Sequence, residues 1–168
     1  MQMSNIRCVI NSRSALVTLA LLFYSISSQA QCRCQKINRN GTQITQCQPL
    51  PVAYDNTSQI GVSIVSNGRS DFIAITVRFK NSAKKITSDL TLYMDNQSMI
   101  KLPLINSQLA YIGNSEVAQA IYQTDKSDLA SLGSSNIKTM SFKMHDNMIR
   151  TYQAKKNKDI LVKQLKCL

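Results

Sequence analysis

Apolar and polar residues alternate along two neighbouring stretches of the chain, residues 59–66 and 71–80. Every second position in them is apolar: Ile60, Val62 and Ile64, then Ile73, Ile75, Val77 and Phe79. A period of two places these side chains on one face and is typical of half-buried β-strands. Because Asn67-Gly68 between the stretches is a turn sequence, the pattern predicts a β-hairpin.

The same alternation recurs further along the chain. Leu90, Leu92 and Met94 precede the turn sequence Asp95-Asn96, and Ile100, Leu102 and Leu104 follow it. Residues 138–144 and 148–154 flank His145-Asp146-Asn147, and residues 108–112 and 116–124 flank Gly113-Asn114. Together these patterns predict about eight strands outside the N-terminal cysteine region.

Two short helices are also predicted. The first is a single turn capped by Ser127 and ended by Gly133. The second lies within residues 155–168, with Asn157 as its cap and Asp159 in its first turn. Its apolar face carries Leu161, Leu165 and Leu168 and should pack on the sheet.

The order of these elements predicts the fold class. Strands at hairpin spacing without long helices between them favour an antiparallel sheet. About eight strands in one domain then predict an all-β fold, either a β-sandwich or a partly closed barrel. We expect an N-terminal disulfide hairpin at one end of the chain and a short C-terminal α-helix at the other.

The first thirty residues have the signature of a secretory signal peptide. Arg7 and Arg13 form a cationic start, residues 15–26 are apolar, and small residues precede the end of the segment at Ala30. The apolar run is too short to span a bilayer, which needs about 20 residues. We expect one β-rich domain over residues 31–168, in a periplasmic or extracellular protein of a bacterium. Cys8 would be removed with the signal, leaving four cysteines in an oxidising compartment.

A hairpin signal lies between Cys34 and Cys47. Asn40-Gly41 at its centre is the strongest two-residue turn sequence, because both positions of a type I′ turn need positive φ. The turn places Cys34 opposite Cys47 at a non-hydrogen-bonded pair, where Cα atoms are about 4.5 Å apart. Since a disulfide tolerates that separation, the sequence predicts a Cys34–Cys47 disulfide within residues 31–50.

Cys32 and Cys167 remain for a second disulfide. A bridge between Cys32 and Cys34 would close a strained ring, so the predicted pair is Cys32 with Cys167. In the chain-entropy model this bond is worth about 5 kcal/mol because it closes nearly the whole chain. The alternative is a metal or redox site at Cys32-Arg33-Cys34, but its spacing differs from the two-residue gap of zinc and thioredoxin motifs.

Few residues of the chain are suited to catalysis. His145 is the only histidine and Glu116 the only glutamate, so a pair of catalytic carboxylates would have to use aspartates. The candidates lie beside predicted turns, where short acceptor side chains stabilise loops: Asp55, Asp71, Asp95, Asp125 and Asp146. We expect no enzymatic activity, no cofactor and no metal. An aspartate-dependent hydrolase is an alternative hypothesis.

The chain is basic, with a formal net charge of +11 that becomes +9 when Arg7 and Arg13 leave with the signal. Its densest cationic patch comprises Lys155, Lys156, Lys158, Lys163 and Lys166. This patch is either a solvated helix face or a docking surface for an anionic polymer. Aromatic residues alternate within strands instead of clustering among the cations, so nucleic acid is not the expected partner.

The sequence therefore favours a non-catalytic binding or structural module of the bacterial envelope. Its expected partner is a protein or an anionic envelope polymer. An inhibitor or immunity protein directed against a secreted enzyme is the other alternative, because such proteins are small, exported and disulfide-stabilised.

Overall fold

The computed structural model describes residues 33–39, 41–113 and 115–168. The described strands are β1 (Cys34–Arg39), β2 (Thr42–Cys47), β3 (Leu50–Tyr54), β4 (Ser58–Ser66), β5 (Asp71–Phe79), β6 (Leu90–Met94), β7 (Met99–Leu102), β8 (Leu104–Ile112), β9 (Ser115–Gln123), β10 (Ile137–Lys143) and β11 (Ile149–Gln153). The described helices are α1 (Lys126–Ser134) and α2 (Ile160–Leu165). The predicted signal segment, residues 1–30, lies outside the described residues and stays a prediction.

The strands form two antiparallel sheets. The large sheet has the order β1-β2-β4-β5-β9-β8, with β3 also paired to β4, and the small sheet has the order β11-β10-β6-β7. The prediction of a mainly antiparallel all-β fold is therefore confirmed, and of the two predicted architectures the two sheets correspond to the sandwich. Within the described part of the chain, no helix is long and apolar enough to cross a membrane.

The predicted hairpin at the centre of the large sheet is formed by β4 and β5. Ile60 is paired with Val77 and Ile64 with Ile73, and all four side chains are fully buried. The alternation seen in the sequence thus places one face of each strand in the core. Phe79, the last apolar residue of the pattern, is only partly buried but packs against the same core.

One hydrophobic core joins the two sheets and both helices. Tyr122 of β9 and Leu92 of β6 belong to it, and so do Leu132 of α1 and Leu161 of α2. All four residues are at most 1% exposed. At about 25 cal/mol per Å² of apolar surface removed from water, this burial is the main stabilising contribution to the fold.

The N-terminal hairpin has the predicted register. In β1 and β2, Cys34 is paired with Cys47 and Ile37 with Ile44, and the two cysteines form a disulfide. Both parts of the Cys34–Cys47 prediction are therefore confirmed. Cys167 is also disulfide-bonded. Its predicted partner Cys32 lies outside the described residues, so this second pair stays a prediction.

The prediction for the first helix was wrong in its limits. The residue that caps α1 is Asp125, whose carboxylate accepts a hydrogen bond of 2.7 Å from the backbone N–H of Asp128. Asp128 in turn accepts one of 3.0 Å from the N–H of Asp125, which completes a capping box. Ser127 lies inside the helix, and Gly133 does not end it because α1 continues to Ser134.

The C-terminal helix is shorter than predicted. The N-cap of α2 is Asp159, not Asn157, and Asn157 has a φ of +44°, which differs from the extended conformation typical of a cap. The Asn157 side chain instead donates a hydrogen bond of 2.8 Å to the backbone carbonyl of Pro51 in β3. Leu161 is buried on the core side as expected, whereas Leu168 is 46% exposed.

The sequence pattern fails to predict two features of the strand order. The pattern does not predict β3, which contains Pro51 and has a register shift between Pro51 and Ala53; proline is tolerated there because β3 pairs on one side only with a strand of its sheet. The pattern also groups Leu104 with Ile100, which is wrong. Strand β7 ends before Pro103, and Leu104 begins β8 in the other sheet.

Candidate functional site

A row of small and polar residues crosses the outer face of the large sheet, which is the face turned away from the core. Gly61 of β4 is paired with Thr76 of β5, Thr76 with Gln119 of β9, and Gln119 with Gln108 of β8. Directly paired residues of antiparallel strands share one face of a sheet. Since Ile75, next to Thr76, is buried in the core, the row points away from it.

Two further rows lie on either side of the first. On one side the paired residues are Ser63, Ala74, Ile121 and Asn106, and on the other they are Gln59, Arg78 and Val117. The central row is polar, and apolar side chains of the flanking rows lie on either side of it: Ala74 and Ile121 on one side and Val117 on the other.

The connection between β2 and β3 lies over this face. A Cβ atom added at Gly61 would lie only 3.4 Å from the Cβ of Pro49. Pro49 therefore lies directly over the sheet at position 61. The contact turns a flat sheet face into a concave surface, with the β2–β3 connection as one wall.

The concave surface contains two adjacent hollows of about 110 Å³ and about 420 Å³. Both are lined by Gln46, Pro49, Thr76 and Gln119. The smaller hollow reaches towards β8, and the larger one reaches Arg78 and Ile112. We call this surface the amide groove and define it by six side chains: Gln46, Gln48, Gln59, Asn106, Gln108 and Gln119.

The amide groove is polar but almost uncharged. Each of its six amides offers donors and an acceptor, and Gln108 donates a hydrogen bond of 3.4 Å to the side-chain carbonyl of Gln119. Among the residues that line the two hollows, Arg78 is the one charged side chain, and no acidic residue is present. The groove can therefore form many neutral hydrogen bonds and one charge-assisted contact to an anion.

Two hydrogen bonds and a neighbouring disulfide hold the wall of the groove in place. The backbone N–H of Gln48 donates to the carbonyl of Arg33 at 3.0 Å, and the carbonyl of Gln48 accepts from the Gln164 side chain at 3.0 Å. The Cys34–Cys47 disulfide lies directly beside this segment, where a third hollow is lined by both cysteines and by Gln46. The disulfide hairpin is therefore part of the structure that shapes the groove.

The five lysines of the predicted cationic patch have different surroundings. Lys155 donates a hydrogen bond of 3.1 Å to the carbonyl of Tyr54 and lies 4.7 Å from the centre of its ring, with Lys156 at 5.9 Å. Lys163 pairs with Asp159 at 2.8 Å, and Lys158 and Lys166 are exposed. None of the five lines the amide groove. Docking of an anionic surface on these lysines stays a prediction.

His145 lies outside the groove as well. It is exposed in the turn after β10, and its backbone N–H donates to the carbonyl of Lys85 at 2.8 Å. The neighbouring Asp146 accepts from Lys84 at 2.7 Å and from Arg150 at 3.1 Å. These contacts, the one from Lys84 above all, lower the pKa of Asp146 to about 2. This carboxylate is thus part of an ion-pair network on the surface.

Other carboxylates bind backbone groups. The pKa of Asp125 is lowered by its hydrogen bond from the N–H of Asp128, and Glu116 accepts from the N–H of Ala83 at 3.1 Å. A carboxylic acid catalyst needs a raised pKa, which neither Asp125 nor Asp146 has. Within the described residues there is no group of three His, Cys, Asp or Glu residues that could hold a metal ion.

Comparison of the chain with protein-family models, with curated proteins and with solved structures found no match. Its function therefore has to be argued from the geometry of the site. The polar positions that alternate with the core residues of β4, β5 and β9 are visible in the sequence, but the concavity of the face is not, because it depends on Pro49 lying over Gly61.

Proposed function

We propose that this protein is an exported, non-catalytic binding module of the bacterial envelope that binds an acidic polysaccharide in the amide groove. The observation that carries the proposal is the composition of the groove. Six amide side chains and Arg78 alternate with the apolar residues Ala74, Val117 and Ile121. No acidic side chain lines the two hollows to repel an anionic ligand.

The chemistry of a polysaccharide matches each part of this surface. Sugar hydroxyls donate and accept hydrogen bonds, as side-chain amides do. The C–H faces of sugar rings can pack on the small apolar residues between the amides, which is the usual composition of a ligand site. A sugar carboxylate would form two parallel hydrogen bonds with the guanidinium of Arg78.

The disulfide supports the exported location that is part of this proposal. An intramolecular disulfide such as Cys34–Cys47 persists in oxidising compartments and is rare in the cytosol. An acidic polymer of the cell envelope would be accessible to the protein in the periplasm or the medium. The positive net charge of the chain favours encounter with such a polymer.

Isothermal titration calorimetry with oligogalacturonate and with its methyl ester tests the proposal, because esterification removes the charge of the sugar carboxylates. We expect tighter binding of the acidic probe. Arg78→Gln should weaken that binding at least about tenfold, because it removes the charge that assists both hydrogen bonds to the carboxylate, and leave the binding of the ester unchanged. Gln119→Ala should weaken the binding of both probes.

Lys158→Gln is the matched control, because it removes one positive charge from an exposed position outside the groove. It should leave the affinity for both probes within a factor of about two, since a single exposed charge contributes little. If Lys158→Gln weakens binding as much as Arg78→Gln, the ligand binds through the cationic patch or through net charge, and the proposed site is wrong. Failure of both probes to bind the unmodified chain would also contradict the proposal.

A further inference from the structure

The strand β8 forms one end of the large sheet and exposes an apolar surface. Strand β9 lies on one side of β8, and no strand lies on the other side among the described residues. Four large apolar side chains on β8 are solvent-exposed: Ile105 (51%), Leu109 (44%), Tyr111 (77%) and Ile112 (41%). An end strand of this kind also presents unpaired backbone N–H and C=O groups, which can pair with another strand.

Charge distinguishes β8 from the other end strands. At the ends of the two described sheets, β1 carries Lys36 and Arg39, β7 carries Lys101 and β11 carries Arg150. Strand β3, which also pairs on one side only, has no charged residue but contains Pro51, and its Val52 carbonyl accepts from the N–H groups of Lys155 and Lys156. Strand β8 has no charged residue and no proline. Lysine and arginine on an end strand oppose pairing with another strand. With a net charge of +11, or +9 without the predicted signal, two copies repel each other, and β8 is the end strand at which they can meet without opposing cations.

The sequence of β8 is also suited to pairing with itself. If two copies of β8 pair about a two-fold axis at Gln108, Ile105 of one copy faces Tyr111 of the other. Between the ends and the axis, Asn106 faces Ala110 and Ser107 faces Leu109. Apolar residues then meet apolar residues at both ends of the interface. At the centre, two Gln108 amides would meet, and each offers both a donor and an acceptor. An isologous interface requires this kind of self-complementarity.

A contact at the start of β8 limits the length of the strand that can pair with a second copy. The backbone N–H of Leu104 donates a hydrogen bond of 3.1 Å to the carboxylate of Asp89, so this position is already occupied. The unpaired edge therefore extends from Ile105 to the turn at Gly113. Ile112 is paired with Ser115 directly beside this turn; without it the edge comprises residues 105–111, of which Gln108 is the midpoint.

We propose that two copies of this chain form a dimer by antiparallel pairing of β8 with β8, with the two-fold axis at Gln108. The pairing extends the large sheet across both copies through backbone hydrogen bonds, as in other cases of strand addition. It covers Ile105, Leu109 and Tyr111 in each copy. This proposal does not depend on the ligand of the amide groove.

A charge exchange at Gln108 tests the dimer. Analytical ultracentrifugation of the purified chain should show an equilibrium between monomer and dimer. Gln108→Lys and Gln108→Glu should each raise the dimer dissociation constant at least about tenfold, because each places two like charges opposite each other across the axis. An equimolar mixture of the two variants should restore the dimer, since a lysine then faces a glutamate.

Gln153→Lys, at an exposed position of β11 in the small sheet, is the control and should dimerise like the unmodified chain. A monomeric unmodified chain would overturn the proposal, and co-sedimentation of that monomer with phosphatidylcholine vesicles would assign the apolar edge to a lipid surface instead. Dimers of unchanged stability in both Gln108 variants would place the interface elsewhere. A mixture of the two variants that stays monomeric would show that the axis does not lie at Gln108.

Discussion

Gln164 of α2 and Ile64 of β4 are joined by a hydrogen bond of 2.9 Å, in which the side-chain carbonyl of Gln164 accepts from the backbone N–H of Ile64. Gln164 is fully buried. Its amide nitrogen donates to the carbonyl of Gln48 at 3.0 Å. One side chain of the C-terminal helix therefore links the centre of the large sheet to the wall of the amide groove.

Gln164 lies at a gap between two strands that pair with the same side of β4. Strand β2 pairs with β4 at Val65 and Ser66, and β3 pairs with β4 from Val62 towards its beginning. Between these two ladders, β4 has no strand partner on that side, and an unpaired buried N–H is costly. Gln164 satisfies the N–H of Ile64 in this gap.

Gln164→Leu should destabilise the protein by about 1 to 3 kcal/mol, because it leaves the buried backbone N–H of Ile64 without a partner. Urea denaturation measures the change. Gln153→Leu, an exposed position in β11, is the control and should change the free energy of unfolding by less than about 0.5 kcal/mol. Equal effects of the two substitutions would show that the Gln164 hydrogen bonds add no stability.

The parts of the fold that depend on neighbouring residues follow from the sequence. The turn at Gly41 sets the register of β1 and β2, so the Cys34–Cys47 pair can be derived from the turn and the spacing of the two cysteines. The alternation of apolar residues in β4 and β5 likewise identifies their buried faces. In both cases the determining residues lie within one hairpin.

The parts of the fold that depend on contacts between distant residues do not follow from the sequence. The pattern shows Gln164 only as a polar residue in an amphipathic helix, although it binds β4 at a separation of 100 residues. It shows Pro49 and Pro51 as breaks in the chain, although Pro49 shapes the groove and Pro51 lies within β3. The groove itself has no sequence signal beyond the polar residues that alternate with the core.

Asp146 should govern part of the pH dependence of stability. Its pKa is lowered to about 2, chiefly by the hydrogen bond from Lys84, and is about 4 in an unfolded chain. A carboxylate with a lowered pKa stabilises the fold above its unfolded pKa, and this contribution is lost as the pH falls from about 4 through about 2. Asp146→Asn should therefore remove stability at neutral pH and make less difference below about pH 2.

Titration of the Asp146 carboxyl carbon by NMR tests whether the Lys84 hydrogen bond causes the lowered pKa. In Lys84→Met the pKa of Asp146 should rise towards its ordinary value, because the largest contribution to the shift is gone. Lys85→Met, at the neighbouring exposed position, removes the same charge without that hydrogen bond and should have a smaller effect. Identical titration curves in the two lysine variants would argue against the Lys84 contact as the cause.

The Tyr122 hydroxyl offers a stabilising substitution. It is buried and has no hydrogen-bond partner among the described residues, and burial, followed by the charge of Asp89, raises its pKa. Tyr122→Phe should leave stability unchanged or raise it by up to about 1 kcal/mol, because it removes an unsatisfied polar group from the core.

Tyr152→Phe is the matched comparison, since the Tyr152 hydroxyl accepts a hydrogen bond of 3.4 Å from Ser58. This substitution should lower stability by about 0.5 to 1 kcal/mol. The thermal unfolding midpoints of both variants distinguish the two cases. A loss of stability in Tyr122→Phe as large as that in Tyr152→Phe would mean that the Tyr122 hydroxyl is satisfied in solution.

The Cys34–Cys47 disulfide should matter for both stability and ligand binding, because the hairpin that it closes adjoins the wall of the amide groove. Its loop spans 13 positions, for which the chain-entropy model gives about 3 kcal/mol. Cys47→Ser should cost about this amount and expose Cys34 to wrong pairing. The double variant Cys34→Ser with Cys47→Ser avoids that complication and should show the same loss of stability in urea.

Hydrogen exchange reports on the wall of the groove in the same double variant. The backbone N–H of Gln48 binds the carbonyl of Arg33 next to the disulfide, so its exchange should become faster once the cross-link is gone. The N–H of Ile75, which lies in the centre of the large sheet between β4 and β9, should stay protected relative to Gln48, because that part of the ladder does not depend on the hairpin. Unchanged exchange at Gln48 together with full stability would show that the wall keeps its shape without the cross-link.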